Sequence, residues 1–320
     1  MPDARHQIAF DQSGLGNVLK SYQLEVPPNQ REYAWTEQAG ELFQDFTKAI
    51  SEDTDHFLGT IVTIPRGNAT LEVVDGQQRL ATTALLLAAI RDHLEAVEED
   101  VLVESINNVF LTGIVRRERA RVPRLKLNID DNDLFKAIVS GTSSAALPQP
   151  TRPSHQRLID AYRGAQKHIR NIVSPLDNKE HGDLLERWVS FIEHNALVVL
   201  LKCPDGADAY KMFETLNDRG LRTSQADLVK NHLFGKSGSR FEEVQSRLSY
   251  MRGALEALDE EDITINFLRH ALVLMRGYLS APDVYEAVQN IARAEQATVT
   301  FMVHLEGLAN VYVATFNPEH

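Results

Sequence analysis

Cysteine is nearly missing: Cys203 stands alone among 320 residues. An internal disulfide and a cysteine metal cluster are both excluded, and such sparing use fits a reducing, cytoplasmic setting. There is no G-x-x-x-x-G-K-[ST] segment, so a Walker A phosphate loop is excluded. The eleven histidines form no H-x-x-x-H or H-E-x-x-H pair. Long apolar runs are missing as well. "ALLLAAI" and "ALVVLL" fall far short of the roughly 20 residues that a membrane helix needs, and "MPDARHQIAF" has no signal-peptide core. Positive charge is not in excess: 33 Lys and Arg against 45 Asp and Glu leave a formal charge of −12. The chain as a whole is therefore no basic nucleic-acid binder, while a local basic patch stays open. What is present, 43% hydrophobic and 24% charged residues, suits a globular protein of about two domains with a sizeable core. The expectation is a soluble cytoplasmic protein with no membrane partner.

The pattern along the chain reads as α+β. "SYQLEVPP" is a short strand running into a proline-stiffened loop. "TEQAGELFQDFTKAI" is an amphipathic helix starting near Thr36, with Leu42, Phe43, Phe46 and Ile50 on its apolar face. "HFLGTIVTI" and "LEVV" form a hairpin about "RGN", and a helix follows from about residue 77 to 99. Residues 101–139 read as helical with a break at "RVPRLKLNIDDND". Residues 140–157, rich in serine and proline, read as the least ordered stretch. A helical block follows over 155–194. "ALVVLLKC" is then a β-branched strand that can rejoin the first sheet and make the helices before it an insertion. "DAYKMFETLNDRGLRTSQADLVKNHLF" reads as helix, turn, helix, and 240–320 as helical throughout.

The junction "LEVVDGQQRLATTALLLAAI" carries the first candidate site. Asp75 and Gln78 have the spacing of a capping box, Gly76 allows a tight turn, and Arg79 would then be a solvated charge. The same geometry supports a sharper reading. A strand entering a helix through glycine aims free N–H groups and a positive dipole end at one point. Arg79 adds a guanidinium fork suited to phosphate, Gln77 and Gln78 can bond a base, a ribose or a water, and Asp75 can hold a metal or a polarised water.

Three other segments stand out. In "FETLNDRGLRTSQADLVKNHLF", Asn217 to Gly220 close one helix, Ser224 and Asp227 have capping-box spacing, and Lys230 shares a face with Asp227. An ordinary helical hairpin with surface ion pairs explains the same residues. In "PPNQREYAW", Pro28, Gln30, Arg31, Tyr33 and Trp35 mix aromatic and cationic groups that can grip nucleic acid, or Tyr33 and Trp35 are core anchors. "RRERARVPRLK", with Arg116, Arg117 and Arg121, is six basic residues against one acid. It is either a phosphate-backbone contact or a solvated face balancing the acidic stretch 95–104.

Taken in order, "VPPNQREYAW", "HFLGTIV", "EVVDGQQRL" and "FETLNDRGLRTSQADLVKN" resemble the N-terminal domain of the GmrSD-type restriction endonucleases, a family that includes SspE-type sensors of phosphorothioated DNA and BrxU-type defence nucleases. The Asp-Gly-Gln-Gln-Arg hallmark is intact at 75–79, Q-R-x-Y-x-W at 30–35 and F-E-x-L-N-x-x-G…D-L-x-K-N at 213–231. The resemblance implies a small ParB/sulfiredoxin-like mixed sheet over residues 1–235, with a helical insertion at about 95–195 and a helical region at 236–320. It implies binding and hydrolysis of GTP or ATP with Mg²⁺. Asp75, Gln77, Gln78 and Arg79 would then be catalytic, and Gly76, Arg79, Asn217, Asp227 and Lys230 would bind nucleotide. Turnover would be coupled to restriction of modified, preferably phosphorothioated, DNA. The family's C-terminal HNH nuclease half is not read here, so the expected partners are DNA and a nuclease domain or subunit, with self-assembly open. The competing expectation is a DNA-modification reader without turnover, holding a DNA phosphate at the same turn. "NIDDND" reads as a helix N-cap, not as a calcium loop.

Overall fold

A computed structural model describes residues 8–28, 30–67, 69–115, 120–141, 147–204, 209, 212, 225–255, 258, 263–280 and 283–316. The chain divides into two compact units, Met1–Leu216 and Asn217–His320.

The first unit is built on a mixed six-stranded sheet. Its strands are β1 (Ala9–Gly14), β2 (Gln23–Glu25), β3 (His56–Pro65), β4 (Thr70–Asp75), β7 (Leu125–Lys126) and β8 (Ala196–Lys202), in the order β1-β8-β3-β4-β2-β7. β3 and β4 form the antiparallel hairpin expected from "RGN". β8 returns after more than a hundred residues to lie parallel to β3 and antiparallel to β1. The helices between β4 and β8 are thus an excursion from one sheet.

Those helices are α3 (Gln77–Ala96), α4 (Asp100–Ile106), α5 (Asn132–Val139), α6 (Pro153–Val173) and α7 (Asn178–His194); α1 (Leu15–Ser21) and α2 (Glu37–Glu52) precede them. α3 has no charge between Arg79 and Arg91, and every residue from Leu80 to Arg91 is buried. A helix apolar on all sides belongs in the interior, and α3 is the axis on which α4 to α7 pack. α2 is amphipathic as expected, burying Leu42, Phe43 and Phe46, although Thr36 makes no side-chain cap.

Two expectations need correction. Residues 112–115 and 120 are not helical, and the expected break from 121 is in part strand: β5 (Thr112–Val115) and β6 (Ala120–Pro123) form a separate antiparallel pair, and β7 joins the main sheet. The β-branched residues of "TGIV" and the missing N–H of Pro123 favour extended backbone there. The stretch read as least ordered also ends early, because α6 starts at Pro153, whose fixed φ suits the first helical turn.

The second unit contains α8 (Gln225–Lys236), α9 (Phe241–Leu255), α10 (Ile263–Arg276), α11 (Val284–Ile291) and α12 (Glu295–Phe316). Its own core includes Val229, Leu233, Leu248, Met251, Phe267, Phe301, Met302 and Leu305. α12 is, among the described residues, the one helix long and apolar enough to cross a membrane by length and composition. It buries one side in this core, and its Glu306 pairs with Arg247 of α9.

Candidate functional site at the start of α3

β4 ends at Asp75, and Gly76 turns the chain into α3 with φ of 96°. A side chain at Gly76 would be strained by this left-handed backbone, and its Cβ would come within 2.9 Å of Ile61. Gly76 itself is the N-cap, with no side-chain cap bond, so the capping box expected between Asp75 and Gln78 does not form. Asp75 remains part of the strand, and both glutamines turn towards another segment.

That segment is the loop 30–35. Gln77 Nε2 donates to the Arg31 carbonyl at 3.0 Å, and Gln78 Nε2 to the Glu32 carbonyl at 3.1 Å. Gln78 Oε1 accepts the N–H groups of Ala34 at 2.9 Å and Trp35 at 3.3 Å. Gln30 Nε2 donates to the Val74 carbonyl at 3.0 Å. The loop has no strand partner for its backbone, and side-chain amides supply both donor and acceptor instead. Two of the sequence elements singled out above are therefore one structure.

The segment leading into α5 also holds the loop. Asn128 Nδ2 donates to the carbonyls of Gln30 and Arg31, at 3.3 and 3.0 Å. Asp131 Oδ2 accepts the Tyr33 N–H at 2.6 Å. α5 is fixed in turn by buried Arg91, whose guanidinium donates to the Val139 carbonyl at 2.6 Å and the Ile138 carbonyl at 3.2 Å. "NIDDND" does begin a helix, but its side chains serve the loop. The signal for this was an asparagine and an aspartate three residues apart, and nothing local distinguishes that pattern from a cap.

Arg79 is expected from the sequence to be a solvated or freely projecting charge, whereas its head is tethered and mostly buried, with an exposed remainder. Its Nη1 donates to the Leu58 carbonyl at 2.5 Å and its Nη2 lies 3.3 Å from Asp75 Oδ2, with 19% of the side chain exposed. Gly59, at φ of 89°, leaves room for it: a Cβ there would sit 2.9 Å from Nη1. Burial lowers the Arg79 pKa, Asp75 opposes this, and the positive charge of Arg31 lowers it further. Arg31 is exposed. Gln77 bonds the Arg31 carbonyl, so two guanidinium-bearing residues belong to the positive end of this long helix.

The remaining candidates separate. Pro28 is exposed and Trp35 half-buried. Tyr33 is a correction: it is 2% exposed, its hydroxyl lies 2.7 Å from Thr82 Oγ1, and burial pushes its pKa up to about 12. A ring packed in this way has no face to offer a base. Arg121 is exposed on β6, while Arg116 and Arg117 lie outside the described residues. Asn217 also lies outside them, as does the turn 213–224. Asp227 and Lys230 are on α8, and Lys230 is buried beside Leu233, Met251 and Arg252 of the second unit. Among the described residues, no three His, Cys, Asp or Glu side chains gather as a metal centre.

Arg31, Tyr33, Gln77, Gln78, Asn128 and Asp131 line a crevice at the loop, with room for about one water. No curated protein matches the chain. The family described as GmrSD restriction endonuclease, N-terminal domain, matches residues 15–234. That span takes in the whole braced junction and well over half of the sequence, and the chain belongs to this restriction-endonuclease domain family.

Proposed function

We propose that the chain is the nucleoside-triphosphate-binding and hydrolysing sensor of a restriction system, coupling recognition of modified DNA to a nuclease domain or subunit. The observation that carries this reading is geometric: Gln77, in the first turn of α3, holds the Arg31 carbonyl at 3.0 Å, which brings exposed Arg31 to the same helix end as Arg79. Two cations at one helix end favour an anion, and guanidinium forks fit phosphate oxygens. Arg79, fixed by Leu58 and Asp75, is ready to stabilise phosphate charge without reorganising. Gln77 and Gln78 shape the loop that carries Arg31. Mg²⁺ in nucleotide sites takes most of its ligands from phosphate and water, with one or two carboxylates. Asp75, partly exposed at the turn, would supply that carboxylate, and the ion would neutralise polyphosphate charge.

The test is binding and hydrolysis of GTP and ATP by the wild type and by Arg31→Ala. Arg31 has no hydrogen bond or ion pair through its side chain among the described residues, so its loss should leave the thermal midpoint unchanged. Losing a charge-assisted phosphate contact should weaken nucleotide binding by about 1.5–3 kcal/mol, roughly ten- to a hundredfold. Arg79→Ala should lose binding and stability together, because the Leu58 carbonyl loses its donor. A wild type that neither binds nor hydrolyses a triphosphate refutes the reading.

A second reading keeps the same cations and drops turnover: a DNA phosphate sits on them. The small size of the crevice favours it, since a surface phosphate needs no cavity. DNA binding without hydrolysis in the same assay would select it. For the modification we propose a backbone phosphorothioate. Exposed Pro28 and half-buried Trp35 put apolar surface near Arg31, the mixture that a soft, weakly hydrated sulfur beside a charged oxygen requires. Hydrolysis should then rise with phosphorothioated DNA above plain or glucosylated DNA of one sequence, and Trp35→Ala should abolish the difference. Equal stimulation by all three would remove this loop as the sensor.

A further inference from the structure

α6 differs from the rest of this acidic chain. It carries Arg157, Arg163, Lys167 and Arg170 against a single acid, Asp160, while the chain as a whole has a formal charge of −12. Arg163, Lys167 and Arg170 are all exposed. Spacings of four and three residues put them on one side of the helix, within an arc of roughly 60° and about 10 Å of axis. None of the three has an ion-pair partner among the described residues, and Asp160, on the same side, instead accepts Gln156 Nε2 at 2.8 Å. The charge of Arg170 is felt beyond the helix: with burial and His181, it holds the pKa of His93 on α3 down.

The other end of α6 meets the candidate site. Arg152, its N-cap, pairs with Glu32 at 3.6 Å and Asp130 at 2.9 Å, and Arg157 Nη1 donates to the Tyr33 carbonyl at 3.5 Å. The basic row therefore begins about two turns from the loop that carries Arg31 and runs away from it.

We infer that the exposed side of α6 is a docking surface for the backbone of duplex DNA, guiding a strand towards the loop 30–35. The three cations lie about 6 and 4.5 Å apart along the helix axis, and one strand of DNA presents a phosphate about every 3.4 Å of axis, so a row of about 10 Å runs past roughly four phosphates, of which up to three can each take a cation. Contacts of this kind set position and carry no base preference. The surface rests on the chain's place in a restriction family and not on the nucleotide reading.

The experiment is fluorescence anisotropy of a labelled duplex of about 20 base pairs, without nucleotide, between roughly 50 and 200 mM salt. The proteins are the full chain, the triple variant Arg163→Gln/Lys167→Gln/Arg170→Gln, and a control, Lys48→Gln/Lys179→Gln/Arg276→Gln, which removes as many exposed charges elsewhere. Each neutralised phosphate contributes about 0.9 to the log–log salt slope, so the α6 variant should lose about 2 to 3 of it and at least tenfold in affinity at low salt. The control should keep the wild-type slope, and nucleotide turnover without DNA should be the same in all three. The surface is overturned if the α6 variant binds like wild type, if both variants lose equally, or if the wild type does not bind DNA at the lowest salt. None of these outcomes depends on whether the chain hydrolyses nucleotide.

Discussion

Asp131 is 1% exposed, and its two oxygens are treated differently. Oδ2 accepts the Tyr33 N–H, while among the described residues Oδ1 and the buried Ser154 Oγ make no well-formed hydrogen bond, although the Ser154 hydroxyl still favours the ionised carboxyl. Burial raises the Asp131 pKa, the Tyr33 N–H, Ser154 and His155 pull it down, and Glu32 adds to the rise. A carboxyl group whose folded pKa is raised binds its proton more tightly in the native state. Its contribution to stability is full below the ordinary carboxylate value and is lost as pH rises through the folded pKa. Asp131→Asn keeps an acceptor for Tyr33, removes the buried charge and offers Ser154 a donor. We expect it to be more stable than wild type near neutral pH, with the difference vanishing in acid, as followed by urea denaturation across pH. Equal stability at neutral pH would show that Oδ1 is already satisfied. Residues of this kind explain what the sequence could and could not disclose. Asp75 to Arg79 and Gln30 to Trp35 were legible as two important segments. That Gln78 would bond Ala34 and Trp35 was not, because the local rule offered a capping box and the true partners lie some forty residues away.

Elements were legible where one period dominates. The β3–β4 hairpin, α3 and the return of β8 to the sheet follow from alternation, from an uncharged helical run and from β-branching. β5, β6 and β7 were missed because they are short and lie in or beside a basic stretch where no apolar period can be read. α3 is the element on which the site depends: its first turn anchors the loop and its last turns carry Arg91, which fixes α5. Leu85, fully buried halfway along it, touches no candidate ligand group. Leu85→Ala should cost about 2–5 kcal/mol by opening a cavity in the main core. Activity measured well below the lowered midpoint should remain, since the first turn keeps its own bonds. Loss of activity in the folded variant would mean that α3 transmits packing strain to its start.

At the scale of the whole molecule, besides a small cluster of Val62, Ile64, Val74, Leu201 and Cys203 on the sheet of the first unit, the described residues form two large cores that share no side chain. One joins the sheet to α1–α7, and the other is made by α8–α12. The sequence shows the change from mixed to purely helical pattern at about 235, while compactness divides the chain at 216/217 and the family match ends at 234. Pattern follows secondary structure, and compactness follows which core a residue enters, so the boundaries need not coincide. Two cores also allow two melting events, which a single two-state description would not capture. The chain carries its own reporters for this. Its two tryptophans, Trp35 and Trp188, both belong to the first unit, and Trp188 is buried in that core. Helical signal comes from both units. Denaturant unfolding followed by tryptophan fluorescence should therefore give a single sigmoid for the first unit. Far-ultraviolet circular dichroism on the same samples should give a broader or two-stepped curve with a different midpoint. A nucleotide that binds at Arg31 and Arg79 should move the fluorescence midpoint upward by mass action and leave the second step of the dichroism curve in place. Coincident curves at every denaturant concentration, with and without nucleotide, would mean that the two cores unfold as one.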